Sequence, residues 1–82
     1  MLRIKKEIDL KELEKFGFKY NEFYPNYVYE TRSKNGNCVF VEIHRATRVV
    51  EGFSHDVPLN SKQIRHFCPA IFEAGYVEKV EE

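Results

Sequence analysis

The chain has 82 residues, of which 43% are hydrophobic and 32% charged, and its thirteen basic side chains balance thirteen acidic ones. A chain of this length forms a single domain whose core is too small to enclose a deep active site. The zero net charge excludes a global field that attracts nucleic acid or an anionic membrane, and without a long apolar run we expect no transmembrane segment, no signal peptide and a cytoplasmic location.

The first predicted helix is Leu10–Phe16. Asp9 and Glu12 have the spacing of a capping box, in which each side chain accepts a hydrogen bond from the backbone N–H of the other residue. Gly17 can adopt the left-handed conformation that ends a helix. Phe18, just beyond it, is expected to fold back onto the helix as in a Schellman motif.

The segment Phe16–Tyr29 carries seven of the twelve aromatic side chains. Four of them are assigned to the helix end or to the inward face of the following hairpin. The other three lie in a predicted loop and have two interpretations. A small domain needs large rings to cover its sheet, which favours the core, whereas exposed aromatic side chains anchor partner proteins. These three residues are Tyr20, Phe23 and Tyr24.

The dipeptide Asn35–Gly36 predicts a hairpin with two alternative registers. A two-residue turn pairs Lys34 with Asn37 and mixes apolar and charged side chains on each face. A three-residue loop with Gly36 as a bulge pairs Ser33 with Asn37 and makes one face apolar, so we predict this second register. It pairs Thr31 with Val39, Tyr29 with Val41 and Tyr27 with Ile43, and it places Glu30, Arg32, Glu42 and His44 on the outer face.

The second predicted helix begins after Asn60, because Gln63 three residues later completes a capping box. Pro69 lacks a backbone donor, so the helix is expected to kink or divide there. Gly75 followed by Tyr76 repeats the glycine stop of the first helix. The spacing of one buried helix face is shared by Ile64, Phe67, Cys68, Ile71 and Phe72.

The remaining segments complete the predicted fold, which is a single α+β domain over residues 1–82. Its small antiparallel sheet has three to four strands, and an N-terminal and a C-terminal helix pack on one face. The other predicted elements are a turn at Arg45–Thr47, a strand over Val49–Phe53, a loop over Ser54–Pro58, a closing strand over Tyr76–Val80 and an edge strand over Arg3–Lys6.

Side chains that could carry chemistry do not form a site in the sequence. Cys38 and Cys68 make no disulfide framework and are expected as free thiols in a reducing compartment. Together with His44 and His66 they offer zinc-ligand types, but not the close pairs typical of structural zinc, so we expect no metal and no cofactor. Ser54–Asp56 are consecutive and cannot normally converge as a catalytic triad. We therefore predict no catalytic residues and no enzyme.

Local basic character indicates an alternative function. Arg32 and Lys34 lie near the predicted hairpin tip, whereas Arg45 and Arg48 lie at its other end. These four are the candidate nucleic-acid-binding residues. Acidic side chains between them interrupt the continuous positive stripe that nucleic acid prefers, so this function is the second candidate.

The segments Ile8–Tyr20 and Ala74–Lys79, with the charged hairpin between them, resemble small uncharacterised proteins of phages and prophages of Gram-positive bacteria. The resemblance implies an accessory protein of a mobile element in the bacterial cytosol. It also implies that the protein binds one host protein, which can be a component of host defence.

The function expected from the sequence is therefore non-enzymatic binding to a host or phage protein. An unpaired edge strand could also be covered by a second copy of the chain, and no membrane contact is expected. The predicted protein-contact residues are Tyr20, Phe23, Tyr24, Glu30, Glu42 and His44.

Overall fold

A computed structural model describes residues 1–24 and 26–80, and it has the predicted α+β architecture. Within these described residues seven antiparallel strands form one sheet, so the prediction of three to four strands was too low. The strands are β1 (Leu2–Ile4), β2 (Lys19–Asn21), β3 (Asn26–Arg32), β4 (Cys38–His44), β5 (Val49–Ser54), β6 (Val57–Pro58) and β7 (Val77–Lys79). The helices are a 3₁₀ helix (Leu10–Phe16), α1 (Ser61–Phe67) and α2 (Pro69–Glu73).

The three helices pack on one face of the sheet, which we call the covered face. It carries Val39, Val41 and Ile43 of β4, all fully buried. The opposite face, which we call the open face, carries the alternate residues of the same strand, such as Phe40 and Glu42. Because side chains alternate along a strand, the apolar core and the charged surface lie on the two sides of one sheet.

The strand order is β2-β3-β4-β5-β1-β7, and β6 pairs with the far end of β5. β1 therefore lies inside the sheet, between β5 and β7, and the prediction of an edge strand at Arg3–Lys6 was wrong. The sequence signal was weak because the strand has three residues. Leu2 and Ile4 nevertheless point into the core, and partners on both sides hold the strand there.

The central hairpin has the predicted register. Tyr29 pairs with Val41, and Ser33 N–H donates to the Asn37 carbonyl at 2.9 Å. Gly36 closes the three-residue loop with a φ of +80°, a conformation that glycine adopts without steric cost. The hydrophobic pattern therefore selected the register that buries one face.

Both glycine stops form the same Schellman arrangement. Gly17 and Gly75 have φ angles of +92° and +76°. The N–H of the next residue then donates to a carbonyl one turn back, from Phe18 to Leu13 at 3.3 Å and from Tyr76 to Ile71 at 3.0 Å. Each glycine therefore ends its helix and turns the chain toward a strand.

The two helix starts differ. At α1 the predicted capping box is present, since the Asn60 and Gln63 side chains each accept from the other's backbone N–H at 2.9 Å. At the first helix the capping box is absent and the helix is 3₁₀. Its i→i+3 pattern directs the Glu12 N–H to the Asp9 carbonyl at 2.9 Å, so the Asp9 carboxylate accepts from Lys11 N–H instead, at 3.0 Å.

Two further segments depart from the predictions. Lys19–Asn21, predicted as loop, is β2, because it pairs with the start of β3. The predicted loop Ser54–Pro58 contains β6 and a two-residue turn at His55–Asp56. Both turn residues have positive φ, at 50° and 62°, as a type I′ turn requires. A His–Asp pair is not a usual signal for this turn, which explains why the hairpin was not predicted.

Pro69 divides the C-terminal helical segment, as predicted. α1 ends at Phe67, α2 begins at Pro69, and Cys68 between them has a non-helical φ of −135°. The apolar stripe nevertheless stays in phase, because Ile64, Cys68 and Ile71 are all buried.

Gly52 allows α1 to approach the sheet closely. A Cβ atom at this position would lie 2.9 Å from Ile64 Cγ1 and 3.0 Å from Leu59 Cδ1. These distances are shorter than van der Waals contact, so a side chain here would push the helix away from β5.

Gly52→Ala is therefore expected to lower the free energy of unfolding by about 1–3 kcal/mol through overpacking. Urea denaturation followed by circular dichroism measures the change. Glu51→Ala is the matched control. Glu51 precedes Gly52 in β5, but its side chain lies on the open face, so the substitution adds no atom to the contact with the helix. Equal stability of Gly52→Ala and the wild type would show that the helix does not rest on this glycine.

Candidate functional site

The open face carries mixed apolar and charged side chains. The strand register places apolar and charged residues in neighbouring positions, with Phe40 of β4 between Glu30 of β3 and Phe53 of β5. The helices pack on the covered face, so open-face side chains contact one another and solvent. This face is therefore left uncovered by the helices and is accessible to a partner.

An aromatic loop, residues 22–24, stands at one margin of the open face. Phe23 is 93% exposed and Tyr24 is 70% exposed. The Asn21 Oδ1 atom accepts from Phe23 N–H at 3.0 Å and from Tyr24 N–H at 3.4 Å. This Asx-type turn shapes the backbone and leaves both rings outside the core. Pro25, which ended the predicted loop, lies outside the described residues.

An open groove of about 660 Å³ lies between the aromatic loop and the sheet. Phe40, 38% exposed, contributes an apolar surface from β4, and Val28 contributes one from β3. Neither residue was predicted to be part of a site. A signal was present, because the predicted register places Phe40 opposite Glu30 on the polar side of the hairpin. The lining residues are Gly17, Lys19, Tyr20, Asn21, Glu22, Phe23, Val28, Glu30 and Phe40.

Tyr20 is also exposed, at 38%, and lines the groove, but its ring packs differently from those of Phe23 and Tyr24. It pairs with Tyr27 across β2 and β3, with ring centroids 5.3 Å apart, and therefore lies at the margin of the covered face. Its hydroxyl accepts from Arg45 Nη1 at 3.2 Å. The pKa of the Tyr27 phenol is raised, mainly by burial of the ring and to a smaller extent by the nearby carboxylate of Glu14. Tyr20 thus packs against the core margin, whereas Phe23 and Tyr24 do not.

The three predicted polar contact residues share the open face. Glu42 lies directly opposite Glu51 of β5, and His44 Nε2 lies 3.4 Å from Glu51 Oε2. Glu30 is exposed and diagonal to Glu42 across the hairpin. Carboxylates from three adjacent strands therefore give the centre of this face a negative potential.

The four candidate nucleic-acid-binding residues do not form one surface. Arg32 and Lys34 are exposed near the hairpin tip, and Arg32 donates to the Gly36 carbonyl at 3.0 Å. Arg45 lies at the other end and bonds to Tyr20 on the covered side. Arg48 is half-buried, and its guanidinium is engaged by backbone carbonyls, which leaves two exposed cations at the tip.

The candidate metal ligands are dispersed. Cys38 lies half-buried on the open face, whereas Cys68 is buried beneath the covered face. His44 lies on the open face and His66 is exposed on α1. Within residues 1–24 and 26–80, no group of three or more histidine, cysteine, aspartate or glutamate side chains is arranged to hold a metal ion. Across the same residues, no helix has the length and apolar character needed to cross a membrane.

Comparison of the chain with protein-family models, with curated proteins and with solved structures finds no match. The geometry of the chain itself must therefore carry the functional inference.

Arg48 joins three segments. Its Nη1 donates to the carbonyls of Lys5, at 2.9 Å, and Ile8, at 2.6 Å. Its backbone N–H donates to His44 at 2.8 Å and its carbonyl accepts from Ile4 at 2.9 Å, with a left-handed φ of 65°. The residue thus connects the β4–β5 turn, β1 and the segment leading to the 3₁₀ helix.

Arg48→Ala is expected to reduce the free energy of unfolding by about 2 kcal/mol, because two carbonyls lose a charged donor. Arg48→Gly should reduce the free energy of unfolding by a smaller amount, since glycine adopts the left-handed conformation without strain. Urea denaturation of both variants gives the comparison, with Arg45→Ala as the control for loss of a positive charge at the same turn. Unchanged stability of Arg48→Ala would leave the guanidinium available for a ligand.

Burial raises the pKa of the Cys68 thiol from its ordinary 9.0 to about 11. The unfolded chain therefore loses this proton first, and the stability that Cys68 contributes is present below about pH 9 and lost as the pH rises to about 11. The loss should approach roughly 2–3 kcal/mol at the upper limit, since one pKa unit corresponds to about 1.4 kcal/mol. Comparing unfolding free energies of the wild type and Cys68→Ala across this range isolates the effect, and parallel pH profiles would contradict it.

Proposed function

We propose that this chain is a non-enzymatic protein-binding module and that the aromatic loop with the adjoining open face forms its contact surface. The observation that carries the proposal is the exposure of two consecutive aromatic side chains, Phe23 and Tyr24, the first of which lines the groove. The partner is a protein of the bacterial cytosol, of host or phage origin, and a component of host defence is one such class. We propose no cofactor and no catalytic role.

The energetic argument concerns the two rings. Burying a large apolar side chain stabilises a fold by about 1.5–3 kcal/mol, and this fold lacks that contribution from Phe23 because the ring is exposed. A partner pocket that accepts the ring would recover it. Aromatic side chains are frequent at binding hot spots, because they supply a large rigid contact area at a low cost in conformational entropy. The Asn21 hydrogen bonds already shape the loop, so little ordering remains to be done on binding.

The groove extends the contact beyond the loop. Val28 and Phe40 offer a shallow apolar surface, and Glu30 lies beside them. A partner complementary to this arrangement inserts an apolar side chain against Phe40 and places basic groups against the carboxylates of the open face. The second predicted polar residue, Glu42, and its neighbour Glu51 continue the acidic area toward β5.

Nucleic-acid binding is the competing function, through Arg32 and Lys34 at the hairpin tip. The carboxylates of the open face oppose it, because phosphate groups would meet Glu30 on the same side of β3 that carries Arg32. Such binding would weaken steeply with salt, and this dependence distinguishes it from protein binding.

The test compares capture by the wild type with capture by Phe23→Ser/Tyr24→Ser. Nuclease-treated bacterial lysate is passed over each immobilised protein, washed at moderately high salt, and the bound proteins are identified by mass spectrometry. We expect one stoichiometric partner with the wild type. The affinity of the purified partner for the double variant should be roughly 30-fold lower, since two hot-spot rings are removed.

Val57→Ser is the matched control, because Val57 is 61% exposed but lies in β6, on the side of the sheet away from β2. It should retain the partner with unchanged affinity, and all variants should unfold at the same urea concentration as the wild type or above it. Equal affinity of the double variant, or binding that disappears on nuclease treatment, would overturn the proposal.

A further inference from the structure

The sheet ends at β7, on the side opposite β2. Val80 N–H donates to the Met1 carbonyl at 2.9 Å, and Lys5 N–H donates to the Tyr76 carbonyl at 2.9 Å. In an antiparallel ladder alternate residues bond to the same neighbour, so these two bonds fix which backbone groups face β1. The N–H and C=O groups of Val77 and Lys79 therefore point away from β1, toward the free side of β7.

A groove of about 300 Å³ follows this edge, between β7 and the two C-terminal helices. Three cationic side chains belong to it: Lys62 and Arg65, which lie one turn apart on α1, and Lys79 of β7. Its floor is apolar, because Leu2, Phe72 and Val77 also line it, and the Arg65 guanidinium lies 5.7 Å from the centre of the Phe72 ring.

Glu78 is the one carboxylate among the described residues that line the groove, and its charge is directed to the other side of the sheet. It bonds to Arg3 at 3.0 Å, and Arg3 lies on the open face. The helix side of the β7 edge is therefore basic, whereas its open side is neutralised by an ion pair.

We propose that the β7 edge binds an extended acidic segment of a partner protein as an additional strand. The free backbone groups of Val77 and Lys79 would pair with the segment, as in other cases of β-strand addition. Every second side chain of that segment then faces the helices, where carboxylates meet Lys62, Arg65 and Lys79 and an apolar residue covers Phe72. This surface is distinct from the aromatic loop, which lies at the other end of the sheet.

A second copy of the chain fits this edge less well than an acidic segment. Antiparallel pairing of two β7 strands about Glu78 would place Glu78 opposite its equivalent and would put two sets of the same cations on one side. Like charges placed directly opposite each other on paired strands are destabilising. Another role for Lys79 is to protect the edge strand from unwanted pairing. That role would not require Lys62 and Arg65 of α1 to line the same groove.

The probe is the labelled peptide acetyl-Thr-Glu-Thr-Val-Thr-Glu-Thr-amide, whose second, fourth and sixth side chains share one face of a strand. Binding is followed by fluorescence anisotropy and by amide NMR shifts. We expect saturable binding that shifts the Val77 and Lys79 amides and slows their hydrogen exchange. A peptide in which both glutamates are replaced by lysine should not bind. Two further peptides carry methyl groups on alternate backbone nitrogens, one on the odd-numbered residues and the other on the even-numbered residues, and only one of these two should lose binding.

Arg65→Glu and Lys79→Glu should each weaken peptide binding by about tenfold or more, because a complementary charge becomes repulsive. Lys34→Glu is the matched control, since it makes the same charge change at the distant hairpin tip and should leave the affinity unchanged. Equal binding of the lysine peptide or of both methylated peptides, or an equal effect of Lys34→Glu, would overturn the proposal. So would sedimentation showing a dimer in which the Val77 and Lys79 amides are protected without peptide.

Discussion

The structure depends on one constraint, which is that so short a chain has too few residues to cover both faces of a seven-stranded sheet. Its three helices contribute Leu13, Ile64 and Ile71 to the covered face, and the core is built entirely on that side. The open face must therefore be stabilised by its own side chains and by solvent, which explains the alternation of carboxylates, cations and single apolar residues on it. The proposed contact surface beside the aromatic loop follows from this one-sided burial, whereas the β7 groove lies on the helix side and follows from β7 being the last strand of the sheet.

Local chemistry made much of the fold predictable. The glycine stops, the Asn60 capping box, the break at Pro69 and the hairpin register each depend on a few neighbouring residues, and each is present in the structure. The errors arose where strand pairing decides the outcome and the strand is too short to show an alternating pattern. β1 and β2 have three residues each; β1 is a strand because β5 and β7, far along the chain, pair with it, and β2 is a strand because the nearby start of β3 pairs with it. The 3₁₀ geometry of the first helix was missed because the Asp9–Glu12 spacing is that of a capping box, which the structure does not form.

The candidate sites were predictable only in part. The alternation of the central hairpin was sufficient to place Glu30, Glu42 and His44 on one face. The same pattern could not decide whether Phe23 and Tyr24 are buried, because that depends on β2 and on the Asn21 side chain that shapes the turn. Arg48 shows the opposite difficulty, since its charge in the sequence indicated a ligand while its guanidinium serves backbone carbonyls of a distant segment. The basic groove beside β7 requires the packing of α1 against the sheet, which no local pattern specifies.

The insertion of β1 between β5 and β7 also has a consequence for the order of folding. Leu2 pairs with Lys79, so the ladder between these strands closes nearly the whole length of the chain. Contacts so distant in sequence have a high entropic cost of loop closure and form late, whereas the β3–β4 hairpin can form from neighbouring residues. Because β1 also pairs with β5, Leu2 and Ile4 can join the sheet before β7 does, and the β1–β7 ladder is the pairing expected to complete the sheet.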